Sequence, residues 1–233
     1  MLKIVEKLRE KSKNMYGVSP VTIAFLGDSV TQGCFELSSY DYKSAYSTRL
    51  KEALHVLYPN AQINIINSGI CGDNATLGEQ RLERDVLAYN PDLVVVSYGL
   101  NDSTQGIERI MEYEKALTGI FERLTARGVD IVFMTQNVMN TQVSPYLQEK
   151  ELIDLATTFA NDVQNNGVLH AYFERAKKIC EKYNVKVCDL HPIWERLIEI
   201  GVNTTELLAN KLNHPIREIH YYMAIKLLET IIS

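Results

Sequence analysis

The sequence predicts an α/β fold in which one five-stranded parallel sheet carries helices on both faces. Short apolar runs alternate with segments of helical periodicity along the whole chain. Such alternation is typical of parallel sheets, because parallel strands need a crossover connection, usually a helix. The run from Asp92 to Ser97 is continuous in valine, as expected for a strand buried on both faces. The 233 residues fit one large domain.

Five apolar runs have the length of strands and are separated by loops or helical segments. They are Val21 to Leu26, Ile63 to Ile66, Asp92 to Ser97, Ile131 to Thr135 and Val185 to Cys188. None approaches the roughly 20 apolar residues that a membrane-spanning helix requires. The sequence therefore predicts no membrane span.

The segments between and after these strands show helical periodicity. In the helix from Glu108 to Ala126, for example, Ile110, Leu117 and Leu124 share one face, and Gly128 follows its end. The full set of predicted helices is Asp41 to Tyr58, Leu77 to Tyr89, Glu108 to Ala126, Val168 to Tyr183, Ile193 to Ile200 and Pro215 to Ile231. Residues 136–166 have weak periodicity, and we expect a loop and a helix lying over the carboxyl edge of the sheet.

Residues 1–20 are predicted to form a helical extension, and residues 21–233 a single domain. The first 15 residues have the pattern of an amphipathic helix, with Ile4, Val5 and Leu8 on its apolar face. This face can dock on the body of the domain or on a second subunit. The sequence leaves that choice open, and with it the oligomeric state.

Composition and charge exclude several classes of function. The chain has 24 basic and 29 acidic residues, a net charge of −5, which argues against a nucleic-acid partner. Residues 1–20 lack the apolar stretch of a signal peptide, and the four cysteines have no C-x-x-C spacing. We therefore expect a cytoplasmic protein with free thiols, no metal site and no cofactor.

Candidate functional residues follow the strands, where open α/β sheets place their sites. The segments are Gly27 to Gly33, Asn67 to Asn74, Gly99 to Ser103 and, near the carboxyl terminus, Asn210 to Pro215. Each alone is also typical of a turn or a helix cap. Together they offer the Ser29 hydroxyl, the His214 base and three oxyanion donors, the backbone N–H groups of Ser29 and Gly72 and the Asn101 amide. These are the parts that acyl transfer requires.

The motifs Gly27-Asp28-Ser29, Gly72, Gly99-x-Asn101-Asp102 and His214-Pro215 resemble, in order and spacing, those of the SGNH, or GDSL-type, hydrolase superfamily. The resemblance covers most of the chain from Val21 onward. It implies a flavodoxin-like three-layer α/β/α fold and hydrolysis of carboxylic esters without a cofactor. It also implies that Ser29 is the nucleophile, that Gly72 and Asn101 are oxyanion donors, and that His214 is the base.

The chain departs from the superfamily at the acid of the catalytic triad. The aspartate that usually lies three residues before the histidine is replaced by Lys211, which accepts no hydrogen bond when charged. Three alternatives remain to orient the imidazole: the Asn210 amide after a one-residue shift, Asp189 at the end of the fifth strand, or a backbone carbonyl. We favour Asn210, as the replacement for the usual acid, or the backbone carbonyl. His191, before Pro192, is the alternative base if His214 is misassigned.

Three functions follow as hypotheses. The leading one is a serine esterase for a small acyl group, such as acetyl, on a sugar or similar small-molecule ester. The alternative enzyme is a lysophospholipase or thioesterase for longer acyl chains. The third is a ligand-binding relative without turnover, suggested by Lys211.

Overall fold

The computed structural model describes residues 1–37 and 39–233 and contains five parallel strands in one sheet. The strands are β1 (Val21–Gly27), β2 (Ile63–Gly69), β3 (Leu93–Ser97), β4 (Asp130–Met134) and β5 (Lys186–Cys188). Their spatial order is β2-β1-β3-β4-β5, the doubly wound order of flavodoxin-like folds. The predicted fold class is therefore confirmed.

Ten α-helices surround or extend this sheet in the described residues. They are α1 (Lys3–Lys13), α2 (Ser29–Gln32), α3 (Tyr46–Leu57), α4 (Ala75–Asp85), α5 (Leu100–Ser103), α6 (Ile110–Ala126), α7 (Lys150–Thr158), α8 (Val168–Tyr183), α9 (His191–Glu199) and α10 (Arg217–Ile232). Short 3₁₀ turns occupy Leu87–Tyr89, Ile107–Arg109 and Thr204–Leu207, and a π-helical turn, Phe159–Gln164, continues α7. No helix in the described residues is long and apolar enough to cross a membrane.

The helices form the two outer layers of the fold. Helices α3 and α10 pack against each other, while α4, α6 and α8 form a row. Right-handed crossovers place these two groups on opposite faces of the sheet, since the chain winds outward from β1 in both directions. Strands β3 and β4 are fully buried between the layers, which explains why their sequences are almost entirely apolar.

Helix α1 docks on the body of the domain. Ile4 and Leu8 are buried in the main core, and each such burial stabilises the fold by about 1.5–3 kcal/mol. The Ile4 N–H donates to the Asp130 carboxylate at 2.8 Å, and Lys7 forms an ion pair with Asp92 at 2.7 Å. Because Asp92 and Asp130 lie at the amino ends of β3 and β4, α1 closes the edge of the sheet opposite to the predicted site.

Several predicted boundaries were wrong, and two of these differences have a direct physical reason. The helix expected from Asp41 begins at Tyr46, because the Asp41 carboxylate accepts from the Ser44 N–H at 3.1 Å and forms a turn instead. Strand β2 continues to Gly69 beyond the apolar run, because its last residues pair with the end of β1. Residues 135–149 contain no helix or strand, and α7 follows them.

The sheet order brings the candidate loops together. The chain passes from β1 to β2 on one side and later to β3 on the other side of β1. The loops after β1 and β3 therefore lead to opposite sides of the sheet, and the carboxyl ends of these two strands are where such folds place their sites. Gly27 at the end of β1 is in register with Gly69 of β2 and Ser97 of β3. Three of the four candidate segments therefore start from one level at the carboxyl edge.

Candidate active site

Ser29 is the first residue of α2, on a sharp turn directly after β1. A Cβ at Gly27 would lie 2.7 Å from the Ser97 carbonyl oxygen, so only glycine fits before this turn. The Asp28 carboxylate caps α2 by accepting from the Val30 N–H at 3.0 Å. The turn thereby fixes the direction of the Ser29 side chain, which is buried except for a few per cent of its surface.

His214 lies against Ser29. Its Nε2 is 2.9 Å from the Ser29 Oγ, and its Nδ1 is 3.1 Å from the backbone carbonyl oxygen of Phe35. A carbonyl only accepts hydrogen bonds, so Nδ1 carries the ring proton and Nε2 presents its lone pair to the serine hydroxyl. Of the three sequence alternatives for the group that touches the imidazole, the structure has the backbone carbonyl in that position.

Asn210 contacts the backbone of the His214 loop and makes no hydrogen bond to the ring. Its Oδ1 accepts from the N–H groups of Leu212, Asn213 and His214 at 2.9–3.0 Å. Its Nδ2 donates to the Asn213 side chain at 2.9 Å. The expected contact between the Asn210 amide and the imidazole is therefore absent, because the amide oxygen is taken up by three main-chain donors.

Lys211 and Asp189 also point away from the imidazole. Lys211 has a left-handed backbone (φ 59°), and its Nζ donates to the Glu206 carbonyl oxygen and pairs with the Glu206 carboxylate. Asp189 accepts from Thr135 Oγ1 at 2.8 Å and from Lys177 at 3.1 Å. Neither side chain is available to hold the ring.

The three candidate oxyanion donors lie on the loops after β1, β2 and β3. Within the described part of the chain, the N–H groups of Ser29 and Gly72 have no acceptor. Gly72 has a φ of 78°, and a Cβ there would meet nothing within 4 Å, so this backbone faces open space. The Asn101 Nδ2 donates to the Asp73 carbonyl oxygen at 2.8 Å, which leaves its second N–H free for a ligand.

A buried ionic network holds the Gly72 loop in place. Arg81 pairs with the Asp73 carboxylate, and Tyr98 donates to the same carboxylate at 2.7 Å. Arg81 also donates to the Gly27 carbonyl oxygen at 3.1 Å. The network therefore ties the loops after β1 and β2 to the end of β3, and nothing in the local sequence motifs predicted it.

Gln136 is a second connection that the sequence motifs missed. It follows β4 and is fully buried. Its Oε1 accepts from the Leu100 N–H at 3.1 Å, and its Nε2 donates to the Asp28 carboxylate at 2.9 Å. Burial raises the pKa of Asp28 to about 6, although the hydrogen bonds from Gln136 and the Val30 N–H act to lower it. Gln136 thus joins the turn that carries Ser29 to the helix that carries Asn101.

Burial governs the titration of the site. It lowers the pKa of His214 below its usual value, and the hydrogen bond from the ring to Phe35 opposes this shift. The imidazole is therefore neutral at physiological pH, as an acceptor of the serine proton must be. Next to Asn101, burial raises the pKa of Asp102 to about 7.

Comparison with known proteins identifies the family. The model of the GDSL-like lipase/acylhydrolase family matches residues 25–220, which include every candidate residue above. The chain belongs to this family. The match begins within β1 and ends within α10, and it includes strands β2 to β5 in full.

One relative and several structural neighbours of this family member are esterases. An acetylxylan esterase of Geobacillus stearothermophilus is 34% identical over 89 residues, which are 34% of this chain and 39% of that protein. A two-domain esterase active on acetylated mannans superposes with a TM-score of 0.70 at 20% identity, covering 99% of this chain and 53% of that one. The acetyl xylan esterase AlAXEase gives 0.69 at 19% identity, covering 91% and 100%.

The other histidines of this family member lie elsewhere. His220 is fully buried beneath the site, where its Nδ1 accepts from the Tyr46 N–H at 3.2 Å. His191, the alternative base, is buried at the start of α9 against Phe173, and its ring makes no hydrogen bond to Ser29.

Proposed function

We propose that this member of the family is a serine esterase that removes small acyl groups, such as acetyl, from sugars. The observation that carries the proposal is the contact of Ser29 Oγ with a neutral imidazole whose other nitrogen is held by a carbonyl. A serine hydroxyl is a weak nucleophile unless a base accepts its proton, and this geometry supplies the base in the required tautomer.

In the proposed reaction, Ser29 Oγ forms a bond to the acyl carbon while its proton passes to His214 Nε2. The N–H groups of Ser29 and Gly72 and the Asn101 amide bind the oxyanion that forms. Collapse of this intermediate breaks the ester C–O bond, and His214 returns the proton to the departing alcohol. Water then attacks the acyl carbon while its proton passes to His214 Nε2. Collapse of this second intermediate breaks the bond to Ser29 Oγ, His214 returns the proton to Ser29, and the acid is released.

The Phe35 carbonyl takes the position that a carboxylate has in a Ser-His-Asp triad. It orients the ring and fixes its tautomer, but its partial charge stabilises the imidazolium less than a full negative charge would. We therefore assign catalysis to a Ser29–His214 dyad with Phe35 as the positioning residue. Asn210 acts one step further away, by holding the backbone of the His214 loop.

The small acyl group and the sugar are supported by the relatives. The curated relative is an acetylxylan esterase, and structural neighbours include an esterase active on acetylated mannans. Because the sequence match covers 39% of that relative, its substrate is carried to this chain only as a proposal. The cytoplasmic location expected from the sequence likewise stays a prediction.

A fluorophosphonate probe and a series of p-nitrophenyl esters test the proposal. We expect the native protein to react with the probe, and Ser29→Ala to lose labelling together with a factor on the order of 10⁴ or more in kcat. Ser12→Ala, which removes a hydroxyl from α1, is the control and should behave as the native protein. Unchanged labelling of Ser29→Ala would refute the nucleophile, and rates that rise beyond the butyrate ester would refute a small acyl group.

A further inference from the structure

A cluster of three potential metal ligands lies outside the proposed catalytic residues. His170 is on α8, and His191 and Glu195 are one turn apart on α9. One ligand atom from each of the three lies within 4.8 Å of the others. The Glu195 Oε1 is 2.7 Å from His170 Nδ1 and 3.4 Å from His191 Nε2.

His191 is unusual for a buried histidine. It is 3% exposed, yet neither ring nitrogen has a hydrogen-bond partner among the described residues. Buried polar atoms are nearly always paired, so an unpaired imidazole requires an explanation. The centroid of its ring is 4.7 Å from that of Phe173, in an edge-on contact, and 6.0 Å from that of His170. His191 therefore lies between the apolar Phe173 side chain and the more exposed side chains of His170 and Glu195.

We propose that His170, His191 and Glu195 bind a divalent transition-metal ion such as Zn²⁺, with water in the fourth position. Imidazole nitrogen and carboxylate oxygen are ligands that Zn²⁺ takes, and three protein ligands leave a tetrahedral ion one open position. Bond lengths of about 2.0–2.1 Å place tetrahedral ligand atoms about 3.4 Å apart. Two of the observed separations are 2.7 Å and 3.4 Å, and the third is at most 4.8 Å, so small shifts bring all three to this value.

Small movements of exposed side chains complete the site. The side chains of His170 and Glu195 are 51% and 36% exposed, so both can adjust while His191 stays fixed. The ion replaces the proton that His170 and Glu195 share in their hydrogen bond, and this proton is released to solvent. The spacing of the four cysteines gave no sign of this site, because none of its ligands is a cysteine and they come from two helices.

The metal would connect α8 to α9 without joining the proposed catalytic residues. Helix α9 starts directly after β5, where the His191 N–H donates to Thr135 Oγ1 at 3.1 Å. Phe173 separates the cluster from the Gly99 turn, since a Cβ at Gly99 would lie 2.5 Å from the Phe173 ring. We therefore expect a structural ion that stabilises the fold, and its binding is independent of the proposed esterase activity.

Titration of the full-length protein with ZnCl₂, followed by calorimetry and thermal unfolding, tests the proposal. The Cys71→Ser background is used because Cys71 is an exposed thiol and a competing zinc ligand. We expect one Zn²⁺ per chain and a rise in Tm that grows with free Zn²⁺. His170→Ala and Glu195→Gln should each weaken Zn²⁺ binding on the order of tenfold or more.

His55→Ala is the matched control, because it removes a histidine from α3 outside the cluster. It should keep the affinity and the Tm shift of its background. Full affinity in either His170→Ala or Glu195→Gln, or no saturable binding in the background protein, would overturn the proposal. Variants at the exposed ligands are used because His191 is buried and its replacement can unfold the protein.

Discussion

Replacing Asn210 with alanine tests whether one side chain holds the loop that presents His214. The Asn210 Oδ1 accepts three N–H groups, and the residue is buried, so water does not readily replace it. At about 1 kcal/mol for each net hydrogen bond, Asn210→Ala should lower the free energy of unfolding by about 3 kcal/mol. In a chain of this length that corresponds to a Tm lower by about 6–12 °C.

The same variant should lose activity for a positional reason. A loop that moves by about 1 Å carries the imidazole away from Ser29, and misplacement of that size costs on the order of 10² in rate. The midpoint of the acid limb of the pH–rate profile should not move, because the contact of the ring with Phe35 does not involve Asn210. Urea unfolding and hydrolysis of p-nitrophenyl acetate over a pH series measure all three quantities.

Asn203→Ala is the control, since Asn203 is exposed in the same part of the chain and makes no side-chain capping bond. The reasoning is refuted if Asn210→Ala keeps its stability but loses kcat with a shifted acid limb. That result would mean that the Asn210 amide orients the His214 imidazole directly, which is one of the alternatives from the sequence.

Four further predictions concern other parts of the molecule. Because burial lowers the pKa of His214, the acid limb of kcat/KM should have its midpoint below about 6.5, and a pH–rate profile with a higher midpoint would contradict the assignment. Gly72→Ala should cost about 1 kcal/mol in urea unfolding, because φ is 78° there. Its kcat should fall on the order of tenfold or more, because relief of the strained φ turns the N–H of residue 72 away from the oxyanion, and an unchanged kcat would argue against this N–H as a donor. Burial raises the pKa of Asp102 from 3.8 to about 7, so between these values the folded protein holds a proton that the unfolded chain releases, and stability falls as pH rises. Asp102→Asn has no such titration, so its free energy of unfolding should rise by about 2 kcal/mol relative to that of the native protein as the pH goes from about 5 to about 7. Urea unfolding at the two pH values measures this difference, and an equal pH dependence of the two proteins would exclude a raised pKa. Leu8→Ala should lower the free energy of unfolding by about 2–5 kcal/mol, whereas a loss below about 1 kcal/mol would make α1 a peripheral extension.

The sequence predicted the strands of the sheet well, because each strand is a short apolar run that can be recognised from neighbouring residues alone. The run of Leu93, Val94, Val95 and Val96 has only one suitable environment, a strand covered on both faces. Alternation with helical segments then fixed the parallel arrangement, and the resemblance implied its layers. The beginning of α3 was wrong by five residues because Asp41 favours a turn through its own side chain, an effect that hydrophobic periodicity does not register.

The sequence raised a backbone carbonyl as one partner of His214 but could not say which residue supplies it. Every residue type offers the same carbonyl, so nothing distinguishes Phe35 in the sequence as the partner of His214. Gln136 and Arg81 act across elements that are distant along the chain, and their partners become known only once the sheet is assembled. By contrast, Ser29 and His214 belong to recognisable motifs, so the sequence identified both residues, and the structure shows the contact between them.

Orientation of the imidazole by a carbonyl has a consequence for how the proposed enzyme responds to its medium. The segment that carries Phe35 is fastened by Arg217, whose guanidinium lies 4.4 Å from the Phe35 ring and pairs with Glu36 and Asp41. These ion pairs are partly exposed to solvent, and dissolved salt screens such charges, with a screening length of about 8 Å at 0.15 M ionic strength. Salt weakens such pairs, so the proposed turnover should fall as ionic strength rises, because the segment that orients the imidazole is then held less firmly.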